Sequence, residues 1–144
     1  MHGTQTTMRR TPDGRRLLVS RLVDAPAERV WELLVETRHW SAWGPSVDDV
    51  EPADTRVRAG TTGRVRVAGV GVWIPFEVTS RSADELRGTY RWTWRVAGIP
   101  ATGHRVESTG ENRCRVGFEI PLLAAGYAAV CTVALRRIER LAVE

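Results

Sequence analysis

From residue 62 to residue 120 the chain keeps a two-residue period. In "TYRWTWRV", Tyr90, Trp92, Trp94 and Val96 fall on one side and Thr89, Arg91, Thr93 and Arg95 on the other. A helix would scatter these side chains around its axis; a strand sorts them into an apolar face and a wet one. The same sorting recurs in "TGRVRVAG" and in "VWIPFEVTSRS", where Ile74, Phe76 and Val78 oppose Trp73, Glu77 and Thr79. "GHRVEST" sets His104, Val106 and Ser108 against Arg105 and Glu107, and "NRCRVGFEI" sets Cys114, Val116, Phe118 and Ile120 against Arg113, Arg115 and Glu119. One-sided strands separated by glycine-bearing turns predict an antiparallel sheet with one dry face.

A dry face needs a cover. "PLLAAGYAAVCTVALRRIERLAVE" returns to helical spacing, with Tyr127, Val130 or Cys131, Ala134, Ile138 and Leu141 on one stripe and Arg136, Arg137 and Arg140 away from it. At roughly 20 residues such a helix would reach about 30 Å, long enough to cross the sheet. Upstream, "RRLLVSRLVDA" reads as a strand, with Leu17, Val19 and Val23 towards one face. "PAERVWELLVET" reads as a short helix opened by proline, with Val30, Leu33 and Leu34 in a stripe. Residues 46–54 read as a short strand. Residues 1–14 are polar and aperiodic apart from the turn signal Pro12-Asp13-Gly14, which predicts a flexible leader before one domain at 15–144.

Charge excludes little but points away from nucleic acid. The net charge is +4 with no lysine at all, and the arginines are interleaved with Asp and Glu along the whole chain. That is the pattern of a solvated surface rather than a basic binding face. The beginning of the chain has no apolar core of a secretion signal and no apolar run is long enough to span a bilayer. A cytoplasmic setting is expected, with Cys114 and Cys131 reduced and acting as small core residues. The sequence has no metal-ligand spacing, glycine-rich phosphate loop or nucleophile elbow, so neither metal nor cofactor is expected.

One segment resists this simple sorting. "RHWSAWGPSV" places Trp40 and Trp43 three residues apart in a stretch too broken for a long helix and too apolar for a surface loop. Together with "VDAPAERVWELLVE" before it, "GTTGRVRV" after it and the helix following "FEIPLL", it carries a resemblance. Over about residues 15–144 the chain resembles the START-related, Bet v 1-like superfamily, and within it the bacterial polyketide cyclase/dehydrase-like proteins. The resemblance implies an α+β helix-grip fold: a seven-stranded antiparallel sheet around a long C-terminal helix, with two short helices after the first strand. It also implies a space between sheet and helix for a small hydrophobic molecule such as a polyketide or lipid. Members of the superfamily cyclise or dehydrate polyketides, carry ligands, or act as protein-binding adaptors.

In that frame the expected ligand wall is Phe76, Val78, Tyr90, Trp92, Trp94, His104, Val106, Val116 and Phe118 from the sheet, and Tyr127, Val130, Ala134 and Ile138 from the helix. The bland alternative is a filled aromatic core. The near-absence of large side chains in "AAGYAAVCTVA" fits either close packing against the rings or room for a ligand. Trp43 is expected to plug the end of the sheet, matching the tryptophan of the family's Trp-x-Pro-like turn, and Trp40 to stand at the cavity mouth. If the protein is an enzyme, His104, Tyr90 and Tyr127 are the candidates for moving a proton in an aldol-type cyclisation or dehydration. A carrier or sensor would use the same cavity without them, and an adaptor would have a filled core. The fold leaves monomer and homodimer equally open.

Overall fold

The computed structural model describes residues 2–144. Its sheet is built from β1 (Thr4–Thr11), β2 (Gly14–Val23), β3 (Val47–Glu51), β4 (Thr62–Val67), β5 (Trp73–Asp84), β6 (Thr89–Val96), β7 (Ile99–Gly110) and β8 (Arg113–Pro121). The strands pair antiparallel in the order β1-β2-β8-β7-β6-β5-β4-β3. Two short helices, α1 (Ala27–Val35) and α2 (Trp40–Trp43), follow β2, and α3 (Ala128–Val143) ends the chain. This is a helix-grip arrangement, with eight strands where seven are expected.

The extra strand is β1, inside the segment expected to be a flexible leader. It pairs with β2 along its whole length, from Thr4↔Arg21 to Thr11↔Gly14. Nearly all its side chains are exposed, so it has no apolar alternation to betray it. Its backbone ladder and Thr-rich composition hold an edge strand without a dry face. Pro12-Asp13-Gly14 is the hairpin turn: Thr11 Oγ1 donates to the Gly14 carbonyl at 2.8 Å, and Gly14 sits at φ +101. That positive φ suits glycine.

The C-terminal helix is also shorter than expected. Residues 122–127 form 3₁₀ turns broken at Ala124, and none of them is buried. Without a packed face, and with Gly126 among them, these residues have little to hold an α-helix. The helix proper starts at Ala128 and buries Cys131, Ala134, Leu135, Ile138 and Ala142.

The two tryptophans of "RHWSAWGPSV" answer a need of α1. The last four carbonyls of a helix have no partner within it. Glu32 and Val35 carbonyls accept the backbone N–H groups of Glu36 and Val57 at 3.1 and 2.8 Å. Leu33 accepts the indole N–H of Trp43 at 2.7 Å, and Leu34 that of Trp40 at 2.9 Å. Both rings are buried. The segment is therefore a cap for one helix as well as a wall of the interior.

Arginine appears on both faces of the sheet. On the convex face Glu119 is in register with the exposed carboxylates but is 1% exposed. It sinks because Gly103 lies opposite it; a Cβ there would stand 2.7 Å from Glu119 Oε1. Arg91 grips the carboxylate through Nε at 3.0 Å and Nη2 at 2.7 Å, and Arg105 adds a contact at 3.3 Å. On the concave face Arg21 occupies the position between Val19 and Val23 and pairs with Glu139 of α3 at 2.9 Å. Trp73, also on the convex face, lies under Arg64, whose guanidinium carbon is 4.5 Å from the ring centroid.

Candidate functional site

The concave side is divided along its length. Beneath α1 it is solid. Tyr90 stacks on Trp31 with centroids 5.3 Å apart, and Val106, Val116 and Val78 are fully covered. Phe76 is held 5.5 Å from both Trp40 and Trp94, and Ile138 is buried on α3. These six residues were expected at the ligand wall; they belong to the packed core, with α1 over Tyr90 and the Trp40 ring against Phe76.

Beyond Trp40 the grip is hollow. A cavity of about 450 Å³ opens between the sheet, the loop after α2 and the start of α3. Trp92, Trp94, His104, Phe118, Tyr127, Val130 and Ala134 line it, seven positions from the expected wall, together with Trp40 and Trp43. Further lining comes from Val65, Val67, Ile74 and Val96 on the far strands, Ile120 on β8 and Cys131 on α3. Exposed Ile99, Pro100, Ala124 and Tyr127 form part of the rim. Trp40 is deep in the wall, not at the mouth where it was expected.

The wall is ordered by ring stacking. Trp92 lies parallel to Trp40 at 5.3 Å and to His104 at 3.9 Å. Trp43 stacks on Phe118 at 5.7 Å, and Phe118 meets His104 edge-on at 5.4 Å. Offset and edge-to-face pairs of this kind suit the aromatic quadrupole. The rings therefore form one continuous surface, pinned through Trp40 and Trp43 to α1.

His104 is held by partners whose roles are fixed. Trp94 Nε1–H, which can only donate, gives its hydrogen to Thr102 Oγ1 at 3.1 Å. The Trp92 carbonyl, which can only accept, stands 3.3 Å from His104 Nδ1. Nδ1 therefore carries the proton, and His104 Nε2 accepts from the Thr102 hydroxyl at 3.0 Å. Burial drives the imidazole down to about 3; the Trp92 carbonyl opposes this, and Arg91 adds to the lowering. A neutral imidazole whose lone pair is already engaged is a poor base near neutral pH.

The other hydroxyls lie apart. Tyr127 reaches across the rim to Ser46, with the two oxygens 2.6 Å apart, while remaining 39% exposed. Tyr90 lies outside the cavity, and its buried hydroxyl has no partner among the described residues. Burial pushes its phenol up. Trp92 Nε1 likewise has no acceptor among the described residues. Cys131 is a buried thiol pushed up by burial to about 12. Among the described residues no group of three or more His, Cys, Asp and Glu is placed to hold a metal ion.

Thr102 and Ser46 were missed in the sequence. Thr102 is two residues before His104 and so on the same strand face, but the strand was expected to start at Gly103 rather than Ile99. Ser46 and Tyr127 are 81 residues apart, and nothing local pairs them.

An antiparallel sheet gripping a C-terminal helix, hollow at one end, defines a class built around an internal apolar cavity. The chain belongs to the family described as polyketide cyclase / dehydrase and lipid transport, which its sequence matches over residues 15–143. No curated protein matches it. Among solved structures, it is similar to a protein from Arthrobacter aurescens at 15% identity and TM-score 0.66, covering 95% of this chain and 91% of that one. The human StarD13 (DLC2) lipid transfer and protein localization domain is similar at 14% identity and TM-score 0.65, over 97% and 84% of the two chains. CalU16 from Micromonospora echinospora is similar at 16% identity and TM-score 0.56, over 98% and 75%. At these identities the likeness concerns the fold. No helix among the described residues is long and apolar enough to cross a membrane.

Proposed function

We propose that this protein binds a small hydrophobic molecule in the cavity between the sheet and α3, as a carrier or sensor rather than through acid–base chemistry. The observation that carries this reading is the cavity of about 450 Å³, whose lining includes no charged side chain among the described residues. That size is within the range of small-molecule sites. A filled interior, the premise of an adaptor role, is at odds with it. The binding reading is preferred over cyclisation because the three candidates for proton transfer do not converge. Tyr90 is packed against Trp31, Tyr127 is at the rim, and His104 Nε2 is occupied by Thr102. The family description, which joins polyketide chemistry with lipid transport, accommodates a binder of this kind.

Native mass spectrometry of the protein purified from its own host tests the reading. A co-purifying small molecule that is released on denaturation is expected. Turnover of a polyketide-type substrate that disappears in both His104→Gln and Tyr127→Phe would instead establish the enzymatic alternative.

A further inference from the structure

Resting on that binding reading, we infer that the ligand is uncharged and presents flat rings, rather than being a fatty acid or another amphiphile with an ionised head.

Among the described residues no Asp, Glu or Arg lines the cavity, and the chain has no lysine. The inward-facing arginine that could have met an anion, Arg21, is not among the lining residues and is already paired with Glu139. His104 is fixed as a neutral tautomer by Thr102 and the Trp92 carbonyl. An ionised group carried inside would lose its hydration without gaining a counter-ion. At the rim Ser46 and Tyr127 are bonded to each other, which leaves one hydroxyl hydrogen between them to offer a ligand. That matches a neutral carbonyl or hydroxyl better than a carboxylate.

Trp40, Trp43, Trp92, Trp94 and Phe118, packed ring against ring, line one side, while among the described residues α3 contributes the small side chains Val130, Cys131 and Ala134. An acyl chain is satisfied by any apolar wall and gains nothing particular from ring order. A flat ring system gains stacking and edge contacts in addition to burial.

Four probes separate these features: anthracenemethanol, anthracene carboxylate, dodecanol and dodecanoate, each titrated calorimetrically at pH 7 into the intact protein. Anthracenemethanol is expected to bind one-to-one, and at least about tenfold tighter than either its carboxylate or dodecanol. A carboxylate that binds as tightly as its alcohol overturns the assignment of neutrality. Dodecanol binding as tightly as anthracenemethanol overturns the assignment of rings. In both cases the hydrophobic-binding reading survives. Failure of all four probes to bind overturns that reading, and this inference with it.

Discussion

Trp43 lies ten residues after Leu33 and returns to it, its indole N–H donating to the Leu33 carbonyl at 2.7 Å. One side chain thus closes a helix end and forms cavity wall. Trp43→Phe keeps a ring against Phe118 but leaves a buried carbonyl without a donor. It is expected to lower stability by about 1–3 kcal/mol, read by urea unfolding. A change within error would show that water or a shifted backbone replaces the indole.

Arg21 and Glu139 form a nearly buried pair joining β2 to α3, with Arg21 also donating to Thr4 Oγ1 of β1 at 3.1 Å. Arg21→Met strands the Glu139 carboxylate and is expected to cost roughly 3 kcal/mol. Adding Glu139→Met should recover most of that loss. A double variant as unstable as the single one would mean that the pair matters through packing rather than charge.

Tyr90→Phe separates structure from chemistry. The buried hydroxyl has no partner among the described residues, so its removal is expected to leave stability unchanged or to raise it by up to about 1 kcal/mol. Thermal unfolding checks this, and a marked loss would reveal a hydrogen bond that the geometry does not show.

His104 gives a pH dependence of definite sign. Burial lowers its folded-state value from 6.5 to about 3. The unfolded chain therefore binds a proton between those values that the folded chain refuses. The stability from keeping His104 neutral is complete above pH 6.5 and falls as pH drops towards 3, with a slope of up to about 1.4 kcal/mol per pH unit. NMR titration should show the His104 ring unchanged from pH 8 to pH 5. A midpoint near 6 to 7 would return His104 to the list of working acid–base groups.

These sites differ in how far the sequence betrays them. The strands from 62 to 120 were legible because one face is dry, and period two is what a half-buried sheet imposes on a chain. Strand β1 was not, because an exposed edge strand is held by backbone hydrogen bonds that leave no side-chain pattern. Arg21 interrupts the row Leu17, Val19, Val23 but was not singled out, because its partner Glu139 lies far away in sequence. Alternation placed Trp92, Trp94, His104 and Phe118 on one face, while a space in front of them was only what the resemblance implied. The limit of that space was not legible, because only the packing of α1 and Trp40 decides that Tyr90 and Phe76 become core while Trp92 becomes wall. The relay through Thr102 depends on side-chain directions, which a sequence does not carry.

The central claim is that the hollow beyond Trp40 takes an apolar ligand. Its most direct test is titration of the neutral dye N-phenylnaphthylamine into the wild-type protein and into Ala134→Phe, which places a ring in the cavity from α3. The account predicts a saturable rise in dye emission with the wild type, and loss of that signal in the variant while its melting temperature is retained. Equal binding to both proteins, or no saturable binding to the wild type, would contradict it.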